Sequence, residues 1–235
     1  MPRTKIIAMR FVIFALLGMV CAVCGASVAT AQVQLTVTSP NFSEGRLIGV
    51  AQIANDLGCR GNNLSPAISW SEGPYGTRYY AVSMFDLDEE GFMEKGEKGF
   101  WHWHVLNIPA DVTNLIAGAG KNGAPLPEGA SLTVNSMGDL GYFGPCPPRA
   151  DKPHRYVVQV YALSAKIPLS ASTPPDLVEK ALKPLMLASG TLTGIFGRDE
   201  ASLRPVLSPS DLVPVKESSP LFGANTEPAS GPKGH

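Results

Sequence analysis

The sequence predicts a mainly antiparallel β-sandwich with one or two short helices near the C-terminal end. Three observations carry this prediction. Short runs in which β-branched and aromatic residues alternate with polar ones recur along the chain. Between them lie turns that draw on 24 Gly and 21 Pro residues. One stretch alone, late in the chain, shows convincing helical spacing, and many half-apolar strands with little helix bury themselves best as sheet on sheet.

Residues 1–31 are expected to be a signal peptide. Arg3, Lys5 and Arg10 make a positive start, an apolar run follows, and Ala29-Thr30-Ala31 supplies the small-x-small pattern of a cleavage site. The run is short for a spanning helix, and Cys21 and Cys24 lack the small-residue setting of a lipid-attachment site. The expected product is exported, periplasmic or secreted, with no stable membrane insertion after cleavage. Removing three basic residues takes the formal charge from -1 to -4. That balance recommends no nucleic-acid partner.

Residues 34–38 alternate and read as an edge strand, and 48–53 as a second short one. A loop over 55–66 holds Cys59, a strand stub follows at 67–70, and 79–86 is a strong strand ending in Asp86-Leu87-Asp88-Glu89-Glu90. A charged, Gly-punctuated loop delivers the chain to Phe100-Trp101-His102-Trp103-His104, the start of a buried strand stopped by Pro109. Strand alternation puts His102 and His104 on one face and Trp101 and Trp103 on the other, with the Trp pair in the core. Residues 110–129, small and Gly/Pro-broken, read as a surface loop.

Strand residues at 132–136 lead to Gly141-Tyr142-Phe143-Gly144-Pro145-Cys146-Pro147-Pro148, a loop with few available conformations. Residues 154–163 form a long alternating strand. In 175–187, Leu177, Val178, Ala181, Leu182 and Leu185 recur at helical spacing, and Pro184 kinks or ends the helix. A last strand covers 189–198. From Ser208 to His235, Pro, Ser and Gly dominate and predict a disordered tail, which leaves 32–207 as one domain.

Two cysteines, Cys59 and Cys146, remain after cleavage. An even count in an oxidising compartment favours a disulfide; the plain alternative is two unrelated buried thiols. The polar residues beside rigid turns are Asp86 and Asp88, His102 and His104, the loop from Gly144 to Pro148, and His154 with Tyr156. If these converge, imidazole, phenol and backbone N–H groups of the loop can hold an anion, with a carboxylate to orient a histidine. Alternatively, each histidine is a satisfied core residue and the aspartates cap turns.

These residues resemble the phosphatidylethanolamine-binding protein family, in particular its bacterial Raf-kinase-inhibitor-like branch. The resemblance is carried by Cys59-Arg60-Gly61-Asn62-Asn63-Leu64-Ser65-Pro66 with Ile68-Ser69-Trp70, by Asp86-x-Asp88, by His102-Trp103 through Asn107-Ile108-Pro109, and by Gly141 to Tyr156. It implies a β-sandwich with a small surface pocket for phosphate or phosphorylated head groups, lined by Asp86, His102, Gly144, Pro148, His154 and Tyr156. It calls for no cofactor and no metal, and some members act on partner kinases or proteases. Two departures stand out: Glu89-Glu90 follow where the family usually has Ala-Pro, and His104 stands where it usually has an apolar residue. The favoured expectation is a non-enzymatic binding protein for a small phosphorylated or anionic ligand, with a protein partner as a variant. The alternative is a metal-dependent enzyme using His102-x-His104 with Asp86 or His154.

Overall fold

In a computed structural model, residues 33–90, 99–121 and 124–198 are described. The expected signal peptide, the tail from Ser208 and most of the charged loop at 91–98 lie outside them. No helix among the described residues is long and apolar enough to cross a membrane.

The described chain forms nine strands: β1 (Val37–Thr38), β2 (Arg46–Leu47), β3 (Ile68–Trp70), β4 (Tyr79–Asp86), β5 (Phe100–Pro109), β6 (Asn114–Leu115), β7 (Ser131–Leu132), β8 (His154–Leu163) and β9 (Met186–Phe196). They make a six-stranded sheet in the order β2-β9-β8-β4-β5-β7 and a three-stranded sheet in the order β1-β3-β6. Pairing is antiparallel except between β2 and β9. The main core fills the space between the sheets. Tyr80, Val82, Met84, Trp103, Val105, Val158 and Val160 face Val37, Ile68, Trp70 and Leu115 there. On the other side of the large sheet a smaller cluster of Ala81, Leu106, Tyr161 and Leu163 receives Val178 and Leu182 of α1 (Pro175–Leu182).

Two expected elements differ. The run at 48–53 is not a strand: it holds a single 3-10 turn at Val50–Gln52, closed by Gln52 N–H to Gly49 O at 3.0 Å. The strand comes just before it, where Arg46 and Leu47 run parallel to β9 at Gly194 and Ile195. The buried Ile48 and Ile53 therefore point inward from an irregular segment, a pattern that imitates strand alternation. The helix is shorter than expected. It gives way after Leu182 to a 3-10 turn at Lys183–Leu185, as Pro184 within that turn has no N–H for a helical bond.

The third difference fixes the site. Asp86 pairs with Phe100, Phe85 with Trp101 and Met84 with Trp103, so His102 is an extra residue in β5, a β-bulge. The bulge breaks the alternation. His102 stays on the side of Phe100 and Tyr156, while Trp103 turns into the main core against Tyr142, rings 5.8 Å apart. Trp101 and His104 share the opposite, α1 face, with ring centroids 4.9 Å apart. The expectation that the two histidines share one face, and the two tryptophans the other, is thereby corrected.

Candidate functional site

The strand ends of β4, β5 and β8 meet at one end of the large sheet, on its core side. Asp86 closes β4, Phe100 and His102 open β5, and Tyr156 follows His154 at the start of β8. Together with Leu57, Glu89, Met137, Phe143, Cys146, Pro147 and Pro148 they line a cavity of about 180 Å³. A volume of this size is below that of a drug-sized pocket and suits a group of a few heavy atoms.

Asp86 is buried, and each of its oxygens is used. Oδ1 accepts the N–H groups of Asp88 (2.8 Å) and Glu89 (3.2 Å), and Oδ2 accepts from His154 Nδ1 at 2.8 Å. A carboxylate can only accept, so Nδ1 of His154 carries the proton. Burial opposes a charged His154, but the hydrogen bond and charge of Asp86, then Glu89 and Asp151, outweigh it and raise the imidazole above its ordinary range. Asp88 turns outward instead and takes the Arg155 guanidinium in a two-toothed pair at 2.8 and 2.6 Å. That pair is exposed and contributes orientation more than stability.

His102 is held the other way. Its Nδ1 lies 2.5 Å from the Phe143 carbonyl, which can only accept, so Nδ1–H donates and Nε2 is left with a lone pair. Burial pushes the group down from 6.5 to about 4, against the pull of Asp86 and the Phe143 carbonyl. The imidazole is neutral at physiological pH. Tyr156 is fully buried, its ring 5.3 Å from His102, and its hydroxyl makes no hydrogen bond of ordinary geometry, with the Asp86 carboxylate close enough to act on it. Burial and then Asp86 hold its ionisation well above the usual phenol range. The cavity thus offers one unspent donor, Tyr156 O–H, beside the lone pair of His102.

The loop supplies fewer backbone donors than the sequence suggests. Phe143 N–H donates to His102 O at 2.9 Å and Gly144 N–H to Asn63 Oδ1 at 2.7 Å. Pro145, Pro147 and Pro148 have no N–H. Gly144 does not line the cavity; a Cβ there would overlap backbone atoms of Gln52, Ile53 and Ala54, so its smallness lets the loop lie flat on that segment. His154 lines a neighbouring charged groove with Asp151, Lys152 and Arg155 and reaches the cavity through Asp86. Of the residues named from sequence, Asp86, His102, Pro148 and Tyr156 line the cavity directly.

Phe100, Phe143, Met137, Leu57 and Glu89 were not among them. Phe100 and Phe143 flank named residues, whereas Leu57 and Met137 arrive from distant loops with no signal of their own. Cys59 and Cys146 form a disulfide that ties the Leu57 loop to the Pro-rich wall. His104 is absent from the cavity. Its Nε2 meets Glu179 Oε1 at 3.2 Å, and Tyr161 O–H donates to Glu179 Oε2 at 2.9 Å. A ligand set of His102 and His104 cannot close around one metal ion, because the bulge sends the two imidazoles to opposite faces.

The family model described as phosphatidylethanolamine-binding protein matches residues 38–197, well over half the chain. The chain belongs to the phosphatidylethanolamine-binding protein family. It is 38% identical over 162 residues to the UPF0098 protein YbcL of Escherichia coli, covering 68% of this chain and 86% of the relative. The YbcL crystal structure, titled a new member of the mammalian PEBP family, superposes with a TM-score of 0.65 at 36% identity, over 70% of this chain and 99% of that one. A Putative lipoprotein LppC of Mycobacterium tuberculosis is 32% identical over 173 residues, covering 72% of this chain and 75% of the relative.

Opposed ionisation of His102 and His154 should shape stability. His102 resists protonation in the fold, so the unfolded chain binds more protons between about pH 6.5 and 4, and stability is lost as pH falls through that window. A fall from 6.5 to about 4 corresponds to about 3 kcal/mol in full. His154 is raised, so its contribution is complete below about pH 6.5 and is lost as pH rises through its folded value. Urea midpoints from pH 4.5 to 8.5 are expected to crest between the two. A monotonic rise would contradict the His154 assignment, and a monotonic fall that of His102.

Proposed function

We propose that the protein is an exported, non-enzymatic binding protein whose cavity receives a phosphoryl group of a small ligand. The unpartnered, buried Tyr156 hydroxyl beside the lone pair of His102 carries this reading. A buried donor without an acceptor costs about 1–3 kcal/mol, and a phosphoryl oxygen relieves it. Neutral His102 and protonated Tyr156 do not change charge near neutral pH, which favours holding a ligand over acid–base chemistry on it. The signal-peptide pattern supports export, and inhibition of a partner enzyme is compatible with the family resemblance.

His102 Nε2 needs a proton to share, and a phosphomonoester supplies one as its monoanion. The second ionisation of such an ester lies near about 6. Above that value each bound ligand must take up one proton, so affinity should fall about tenfold per pH unit. Calorimetry of methyl phosphate with the metal-free protein at pH 6, 7 and 8, repeated in buffers of different ionisation heat, reads both the decline and the proton. In Tyr156→Phe the affinity should drop about tenfold or more. A pH-independent affinity, or full binding by Tyr156→Phe, would refute the reading.

A further inference from the structure

The cavity of a phosphate-binding protein is expected to carry positive charge, and the described residues of this one supply none to its wall. Among the described residues no Lys or Arg lines it; their charged contributions to its wall are the carboxylates of Asp86 and Glu89. Asp86 is matched by His154. Glu89 feels the charge of His154 without bonding to it, and the side-chain hydrogen bonds of the described residues do not include its carboxylate. Its backbone is pinned on both sides, N–H to Asp86 Oδ1 at 3.2 Å and C=O accepting Gly99 N–H at 2.9 Å, so the side chain is held at the cavity wall.

Asp86, Glu89 and His154 each place a ligand atom within 4.8 Å of the others, the one such group of three among the described residues. Closed metal shells draw ligand atoms nearer than this, and the rotatable Glu89 side chain can close the gap. Beside that cluster, the buried Tyr156 hydroxyl opens on the same cavity without a hydrogen bond of ordinary geometry, which marks a place for a ligand atom. We infer that Asp86, Glu89 and His154 bind a divalent cation that in turn draws a phosphoryl group into the cavity against Tyr156. Two carboxylates and one imidazole suit a first-row ion of the manganese-to-zinc class.

On binding, His154 Nδ1 gives its proton to solvent and turns its lone pair to the ion, while Asp86 Oδ2 exchanges His154 for the same ion. One proton leaves and one cation enters, so the site changes by one unit of positive charge. The inference rests on the phosphoryl reading only for the second half of its claim. The cation half is measurable alone.

Mn2+ titrated into the purified protein and followed by electron paramagnetic resonance should show one saturable site, with Kd below about 1 mM. Affinity should fall at least tenfold in Glu89→Gln and stay unchanged in Glu128→Gln, an exposed acid elsewhere on the surface. Thermal melts of both variants separate loss of the site from loss of the fold, and Glu89→Ala repeats the test if Gln misfolds. Methyl phosphate at pH 8 should then bind at least tenfold more tightly with saturating Mn2+ than in chelator. Unsaturable binding of Mn2+, or equal binding by Glu89→Gln, overturns the cation site. A normal Mn2+ site with no gain in methyl phosphate affinity overturns its link to the phosphoryl group and, if metal-free binding also fails, the phosphoryl reading itself.

Discussion

Asp86→Asn is expected to lower stability by about 3–5 kcal/mol, the cost of leaving one member of a buried ion pair alone. Asn can still accept the N–H groups of Asp88 and Glu89 through its carbonyl oxygen. Its amide nitrogen would then face His154 Nδ1–H, donor against donor, where a carboxylate oxygen had stood at 2.8 Å. His154 must lose its proton or swing away, and both routes disturb the start of β8. Equilibrium urea unfolding of the metal-free variant at pH 6 should show a lower midpoint with an unchanged slope. The deficit should shrink as pH rises through the range in which His154 titrates in the wild type, because the pair then loses its charge there too. A deficit constant in pH would mean that the backbone hydrogen bonds, and not the ion pair, dominate at Asp86.

Removing the disulfide through Cys59→Ser should cost about 4–5 kcal/mol in the chain-entropy account, given the 87-residue separation it closes. Cys146→Ser and the double variant should cost the same, since each removes the same covalent link. The effect should reach the cavity as well. Leu57 holds a backbone φ of +53°, a conformation costly for a branched residue, and both Leu57 and Cys146 form cavity wall. Once uncoupled from the Pro-rich loop, the segment around Leu57 can relax, and methyl phosphate affinity should weaken at temperatures where the variant is still folded. Guanidinium unfolding with and without reductant measures the first effect, and calorimetry on the reduced wild type measures the second. Equal stability of reduced and oxidised protein would remove the bond from any account of the fold.

β8 and the helix were readable from sequence because their apolar residues recur at the period of the element they form, and β4 and β5 because short β-branched and aromatic runs between turn signals read as buried strands. The residues that resist such reading are those where period and structure part company. One extra residue at His102 reverses the facing of everything before it relative to everything after it, and nothing in Trp-His-Trp-His announces a bulge. The cavity polar group was readable in part for a similar reason. Asp86, His102 and Tyr156 sit at strand ends with recognisable neighbours, whereas Leu57 and Met137 come from loops whose place depends on chain closure, not on local pattern. The loop at 143–148 looked rich in donors because Gly suggests an open backbone. Its prolines and the close packing of Gly144 on residues 52–54 leave little of that backbone to give.

The same proline content has a thermodynamic consequence. A wall made of Pro145, Pro147 and Pro148, anchored covalently through Cys146 and laid on a neighbouring segment through Gly144, has little conformational freedom left to surrender. Whatever enters the cavity meets a surface whose ordering cost was met at folding. Recognition on that side is therefore rigid: the ligand adapts to the wall, and the shape of the wall discriminates among ligands before any hydrogen bond forms.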